Sequence, residues 1–146
     1  MSDRQGKRVL IADDEPEVVD LVRMVLDMAG HSVSSARDGA ETLAAIRAEQ
    51  PDLILLDVRM PKLTGLQVLQ QLRADPNTAP IPVIMLSVVT TYPEVREALQ
   101  WGAIAYLAKP FKLKEMSRLV DRILAMDGAQ RETFRQQALK KAGSVW

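Results

Sequence analysis

Short apolar runs alternate along the chain with longer stretches in which apolar residues recur every three or four positions. The short runs predict strands, mostly buried on both faces, and the longer spacing predicts amphipathic helices. Strands are predicted at residues 9–12, 32–36, 53–56, 83–86 and 103–107. Helices are predicted around residues 18–29, 40–46, 65–72, 95–99 and 113–126. Strands and helices therefore alternate through most of the chain.

Local signals bound several of these elements. Gly30 is predicted to cap the first helix at its C-terminus, and Pro51 to stop the second. Thr91 and Glu94 have the spacing of a capping box. The second strand is partly polar, which places it nearer the sheet edge. Five strands alternating with five helices predict an α/β fold, a doubly wound parallel sheet with helices on both faces.

The pattern breaks at Asp127-Gly128. Beyond it, Phe134, Ala138 and Ala142 recur every four residues and predict one more helix over residues 129–142. The apolar stripe is thin, so a disordered tail is the alternative. The predicted organisation is a polar N-terminal tail, one folded domain and a helical C-terminal tail. These parts correspond to residues 1–6, 7–126 and 127–146.

Charge and composition exclude several classes of protein. Lysine plus arginine and aspartate plus glutamate both total 19, so no cationic excess favours nucleic-acid binding by this chain. The absence of cysteine excludes disulfides and thiolate sites, and it fits a reducing compartment. No apolar run approaches the ~18 residues that cross a bilayer, and the polar start does not resemble a signal peptide. We therefore expect a cytoplasmic protein that does not enter a membrane.

Polar residues follow the apolar strands at the edge where parallel sheets carry their sites. These residues are Asp13, Asp14, Asp57, Ser87 and Lys109. Each taken alone has a structural explanation: the acidic pair could begin a helix, the serine could cap one, and the lysine could be solvated. Asp57 is harder to explain in this way, because a carboxylate at the end of a buried strand needs a compensating partner.

The set together suggests phosphoryl chemistry. Three nearby carboxylates repel one another unless they share a cation, and oxygen ligands suit Mg²⁺. A lysine and a hydroxyl could neutralise and orient phosphoryl oxygens, and a carboxylate can accept a phosphoryl group covalently.

Four motifs in register resemble the receiver domains of two-component response regulators, over roughly residues 7–126. They are Val9-Leu10-Ile11-Ala12-Asp13-Asp14-Glu15-Pro16, Leu55-Leu56-Asp57-Val58-Arg59-Met60-Pro61 with Gly65, Ile84-Met85-Leu86-Ser87, and Tyr106-Leu107-Ala108-Lys109-Pro110-Phe111. The resemblance implies a flavodoxin-like sheet with strand order 2-1-3-4-5. It also implies a signalling switch rather than a metabolic enzyme.

The resemblance further implies the roles of individual residues. Asp57 would accept the phosphoryl group from a sensor histidine kinase, a phosphotransfer protein or a small-molecule donor. Asp13, Asp14, Asp57 and the backbone carbonyl of Arg59 would hold Mg²⁺.

The same resemblance assigns the switch residues. Lys109 would pair with the phosphoryl group, Ser87 would move toward it, and Tyr106 would change rotamer as the relay to the output face. The Lys109-Pro110 bond would be cis.

Some positions depart from the family's usual residues. Val88 and Val89 stand where smaller or polar residues are common, and Arg59 is long and cationic. We expect these three residues to modulate access to Asp57 and to lengthen the lifetime of the phosphorylated state. Ile104-Ala105 replaces residues that are often acidic. A homodimer or a partner protein could therefore use an apolar face around Trp101, Ile104 and Tyr106, unless Ile104 merely packs inside the domain.

Two other functions compete with the signalling switch. A phosphohydrolase of the haloacid-dehalogenase kind also uses an aspartyl phosphate and Mg²⁺, but it needs a second acid where this chain has Arg59, and a cap domain does not fit this length. A degenerate receiver that only binds partners is disfavoured, because all five chemistry-bearing residues are retained.

Overall fold

The computed structural model describes residues 6–88 and 92–144. Within these ranges the elements follow in the order β1 (Arg8–Ala12), α1 (Pro16–Met28), β2 (Ser32–Ala36), α2 (Gly39–Ala48), β3 (Leu53–Asp57), α3 (Gly65–Ala74), β4 (Val83–Ser87), α4 (Tyr92–Gln100), β5 (Ala105–Ala108), α5 (Leu113–Leu124) and α6 (Gly128–Ser144). Strands and helices alternate through α5, as the hydrophobic pattern predicted. The described part of the chain contains no helix that is long and apolar enough to cross a membrane.

The five strands form one parallel sheet in the order β2-β1-β3-β4-β5. The predicted doubly wound order is confirmed, and the polar strand β2 lies at the edge. Because β1 and β3 are neighbours in the middle of the sheet, the residues that follow them meet at its carboxyl end.

Side chains of the central strands alternate between two cores. Leu10, Ile54 and Met85 face the core beneath α2, α3 and α4, whereas Ile11, Leu55 and Ile84 face the core beneath α1 and α5. All six side chains are at most 1% exposed. The uninterrupted apolar runs in the sequence follow from this arrangement, since both faces of the strands are covered.

Gly30 ends α1 as the sequence predicted. Its φ of 94° lies in the left-handed region, and its N–H donates to the Asp27 carbonyl. The next residue, His31, donates its N–H to the Leu26 carbonyl and completes the helix-ending turn. The capping box predicted at Thr91 falls outside the described residues.

The predicted boundaries of β5 and α5 were wrong by about two residues. β5 begins at Ala105 rather than Ala103, because the Ala103 N–H still donates to the Ala98 carbonyl in the turn that ends α4. α5 ends at Leu124 rather than Met126. Asp127 then starts α6, its carboxylate accepting from the backbone N–H of Gln130 at 2.8 Å.

The predicted C-terminal helix is confirmed as α6, and it packs against α4. Phe134 contacts the core beneath α1 and α5, and the Arg122 guanidinium lies 5.1 Å from the centre of its ring. Arg135 donates to the carbonyl of Leu99 near the C-terminus of α4 at 2.5 Å. An aromatic anchor and an arginine thus attach α6, in addition to its thin alanine stripe.

The expectation of an apolar surface at Ile104 was wrong. Ile104 is 3% exposed and belongs to the core beneath α1 and α5, and Ala105 is also buried. The alternative, that Ile104 packs inside the domain, is correct. Trp101 does lie at the surface, with 43% of its area exposed.

Candidate functional site

The sheet brings the predicted polar residues to one edge. Asp13 and Asp14 follow β1, Asp57 is the last residue of β3, Ser87 is the last residue of β4, and Lys109 follows β5. In the parallel register Asp57 is opposite Leu86, and Ser87 is opposite Ala108. Asp13, Asp57 and Ser87 are at most 5% exposed. The carboxyl end of the sheet is therefore a polar cluster in an otherwise apolar interior.

The Lys109 ammonium joins the two buried carboxylates. Its Nζ lies 2.7 Å from Asp13 Oδ2 and 3.3 Å from Asp57 Oδ2, and its side chain is only 7% exposed. The bond to Asp57 has hydrogen-bonding geometry. The contact with the buried Asp13 Oδ2 is a close ion pair. Lys109 therefore compensates part of the negative charge at this edge. The Lys109-Pro110 peptide bond is cis.

The surroundings of Asp57 disfavour its charged form. Burial, followed by the negative charge of Asp13, raises the pKa of Asp57 from 3.8 to about 6. Lys109 and the backbone N–H of Arg59, which donates to Asp57 Oδ1 at 3.2 Å, oppose this increase. A carboxylate held in this state gains from any additional cation placed beside it.

Glu15 is a site residue that the sequence analysis did not identify. Its carboxylate accepts a hydrogen bond from Lys109 Nζ at 2.7 Å, while its side chain remains 56% exposed. Burial alone would lower the pKa of Lys109, but the contacts with Asp13, Glu15 and Asp57 outweigh burial and raise it. The only sequence signal was its position directly after the acidic pair, which also suits the start of a helix.

Three carboxylates are close enough to hold one cation. One oxygen each of Asp13, Asp14 and Asp57 lies within 4.8 Å of the others. Asp14 is exposed, so the group faces solvent on one side while Asp13 and Asp57 are buried. Asp13 Oδ2 already contacts the Lys109 ammonium at 2.7 Å, so the fit to a further cation rests on the three converging carboxylates. An all-oxygen set of this kind fits Mg²⁺.

Ser87 and Tyr106 lie close enough for their side chains to interact. Burial is the main cause that raises the pKa of Tyr106, the neighbouring Ser87 lowers it, and the charge of Glu94 raises it further. Tyr106 is half-buried on β5, next to β4 in the sheet. The hydroxyl predicted to meet the phosphoryl group thus contacts the predicted relay.

Gly65 allows the loop after β3 to pack closely against the backbone of Asp57. A Cβ at this position would lie 2.2 Å from the carbonyl oxygen of Asp57, and the Gly65 N–H donates to the Val58 carbonyl. Any larger residue would push this loop away from the site. Arg59 projects from the loop into solvent, with its guanidinium 3.8 Å from Glu94 of α4.

Val88 borders an apolar groove beside Lys109. The walls are contributed mainly by α1 and the loop after β5, and they comprise Glu15, Val18, Leu21, Val22, Val88, Lys109, Pro110, Phe111 and Leu113. Val88 is 64% exposed, so it lies at the surface of the site. Val89, the other predicted access residue after β4, lies outside the described residues.

The family model for the response regulator receiver domain matches residues 9–121. Among curated proteins, the chain is 44% identical over 117 residues to the DNA-binding dual master transcriptional regulator RpaA of Synechocystis, covering 80% of this chain and 48% of that protein. It is 38% identical over 119 residues to the alkaline phosphatase synthesis transcriptional regulatory protein PhoP of Bacillus subtilis, covering 82% and 49%. The chain spans about half the length of these relatives.

Solved structures agree with the family match. A putative response regulator from Chloroflexus aurantiacus is 33% identical, with a TM-score of 0.79 over 84% of this chain and all of that one. The chemotaxis response regulator CheY4 of Vibrio cholerae is 30% identical, with a TM-score of 0.77 over 82% of this chain and 99% of that one. The chain belongs to the response regulator receiver family, and its receiver domain is of the type that acts as a switch in two-component signalling.

Proposed function

We propose that Asp57 is the phosphoacceptor of this receiver domain and that its phosphorylation switches the face formed by α4, β5 and α5. The observation that carries the proposal is the buried Asp57 carboxylate, in contact with Lys109 and grouped with Asp13 and Asp14. A purely structural ion pair would not need three carboxylates at one sheet edge.

The transfer would form one bond and break one. An Asp57 oxygen attacks phosphorus, and the phosphorus–nitrogen bond of a donor phosphohistidine breaks, its electron pair remaining on the imidazole nitrogen. Lys109 lies on the Asp57 carboxylate and would neutralise a phosphoryl oxygen, while Ser87 would donate its hydroxyl to another. The donor would be a sensor histidine kinase, a phosphotransfer protein or a small acyl phosphate.

Mg²⁺ is the cofactor that the oxygen ligands fit best. Asp13, Asp14, Asp57 and the backbone carbonyl of Arg59 would hold it. When bound, it would neutralise charge shared between the carboxylates and the phosphoryl oxygens. The grouping of one oxygen each from Asp13, Asp14 and Asp57 within 4.8 Å of one another supports this assignment.

The switch would begin with Ser87. Moving its hydroxyl to the phosphoryl group would change its interaction with the nearby Tyr106, and Tyr106 would then adopt another rotamer. Tyr106 and the exposed Trp101 would then present a changed surface to a partner protein or a second copy. Ile104 takes no direct part in this surface, because it is buried. We place the signalling in the cytoplasm, where the reducing conditions suit a chain without cysteine.

The groove beside Lys109 would receive the donor protein. The groove opens next to the phosphoacceptor site. Leu21 of α1 lines it, and 47% of the area of this residue is exposed. Leu21→Glu should slow phosphotransfer from a histidine phosphotransfer protein roughly tenfold, since about 1.4 kcal/mol of apolar docking would be lost. Transfer from acetyl phosphate should be unchanged. Met28→Glu, on the same helix but outside the groove, is the control, and equal slowing with both donors would contradict the docking role.

Val88→Ala should speed both loading by acetyl phosphate and hydrolysis of the adduct. The branched side chain borders the approach to Lys109 and cannot easily turn away, because its χ1 is restricted. Each rate should rise roughly tenfold if the obstruction adds about 1.4 kcal/mol to the barrier. Intact-mass measurements over time follow both steps, with Val18→Ala in the same groove as control. Unchanged rates would show that Val88 is not a gate.

Incubation with acetyl phosphate and Mg²⁺ tests the proposed function. Intact-mass spectrometry should show one added phosphoryl group per chain, and chelation of Mg²⁺ before the donor is added should prevent it. A chain that stays unmodified while a known receiver domain is loaded under the same conditions would contradict the proposal.

A further inference from the structure

Arg59 and Glu94 connect the loop after β3 to α4. The guanidinium Nη2 lies 3.8 Å from Glu94 Oε1, and the two side chains are 64% and 41% exposed. An ion pair at this distance and exposure is weak, because water and salt screen it. A stronger anion within reach of Arg59 could therefore compete with Glu94 for the guanidinium.

The second oxygen of Glu94 is in a different environment. Oε2 is buried and has no hydrogen-bond partner. The cavity around Glu94 has apolar walls that include Val58, Leu66 and Met85, and it is also lined by the polar residues Arg59, Thr64 and Glu97. Arg59 lies beside this carboxylate, so its departure would leave the buried Glu94 oxygen without that nearby positive charge.

Arg59 is anchored to the phosphoacceptor through its backbone. Its N–H donates to Asp57 Oδ1 at 3.2 Å, so the start of its side chain stays near Asp57 while the guanidinium reaches α4. A phosphoryl group carries roughly −1.5 to −2 charges and suits the planar donors of arginine. It would compete with Glu94, which carries one charge and meets Arg59 at 3.8 Å.

We propose that Glu94 is a positioning residue that holds Arg59 away from the phosphoryl group, and that Arg59 exchanges Glu94 for this group when Asp57 is phosphorylated. This inference rests on the proposed function of Asp57. The exchange leaves the buried Glu94 oxygen without its cation, and α4 must then adjust to expose the carboxylate. Glu94 also lies close enough to Tyr106 to raise its pKa, so the adjustment occurs beside the relay.

A double-mutant cycle tests the exchange through the lifetime of the adduct. In the full chain loaded with acetyl phosphate and Mg²⁺, Glu94→Gln should lengthen the lifetime severalfold, because the released Arg59 pairs with the phosphoryl group. Arg59→Gln should shorten the lifetime. The double variant should match Arg59→Gln, since Glu94 acts through Arg59. Glu97→Gln, a carboxylate lining the same cavity, is the control and should match the unmodified chain.

Four outcomes would count against the exchange. If Glu94→Gln lengthens the lifetime equally with and without Arg59, or leaves it unchanged in both backgrounds, Glu94 does not position Arg59 and the inference is wrong. If Glu97→Gln has the same effect as Glu94→Gln, the effect is general to negative charge in the cavity, which also overturns it. A chain that forms no adduct at all instead overturns the proposed function, and this inference with it.

Discussion

Asp57→Asn is expected to abolish the phosphoryl adduct that acetyl phosphate forms. The amide has no anionic oxygen to attack phosphorus, and Asp57 is the carboxylate that ends β3 in contact with Lys109. Intact-mass spectrometry at saturating donor concentration measures the effect directly. Asp20→Asn, an exposed aspartate of α1, is the control and should be loaded normally.

The loss should not come from unfolding. Asp57 is buried beside Asp13, and both conditions make its charge unfavourable in the folded chain. A neutral asparagine should therefore leave the midpoint of thermal unfolding unchanged or raise it when Mg²⁺ is absent. An adduct of normal yield on a well-folded Asp57→Asn chain would contradict the assignment of the phosphoacceptor.

Lys109→Ala is expected to slow loading by acetyl phosphate on the order of a hundredfold, the usual effect of removing one group that stabilises developing charge. The ammonium contacts both buried carboxylates, Asp13 and Asp57. Its loss would therefore remove the positive charge that offsets the repulsion between them. We therefore expect a lower unfolding midpoint without Mg²⁺ and partial recovery when Mg²⁺ is added.

Lys112→Ala is the matched control for this prediction. Lys112 is exposed, precedes α5 and lies three residues after Lys109, whereas the ion pairs with the described site carboxylates are made by Lys109. Its replacement should leave loading unchanged. Equal rates for Lys109→Ala and the unmodified chain would show that the ammonium has only a structural role.

The sequence was sufficient to predict the sheet because the signal is local and repeated. Leu53 to Leu56 are apolar on both sides of the strand, a pattern that only a doubly covered strand explains. Asp57 follows this run directly, so its place at the carboxyl edge could also be predicted. The strand order was predicted from the resemblance of the four motifs to those of receiver domains.

Other features depend on contacts between distant segments, which a local pattern does not report. Ile104 is buried because α5 covers that side of β5, although a single apolar residue at that point fits an exposed position equally well. Glu15 reaches Lys109 across 94 residues of sequence. The pairing of Arg59 with Glu94 likewise depends on where α4 packs, and an isolated glutamate in a helix gives no sign of it.

The most direct test of the account is to locate the phosphoryl group after loading with acetyl phosphate and Mg²⁺. Borohydride reduces an acyl phosphate to an alcohol and releases phosphate, so a phosphorylated aspartate becomes homoserine. Peptide mapping by mass spectrometry should then find homoserine at position 57 and unchanged aspartate at positions 13 and 14. Homoserine at another aspartate, or a phosphoryl group that survives reduction on a serine or threonine, would contradict the assignment of Asp57.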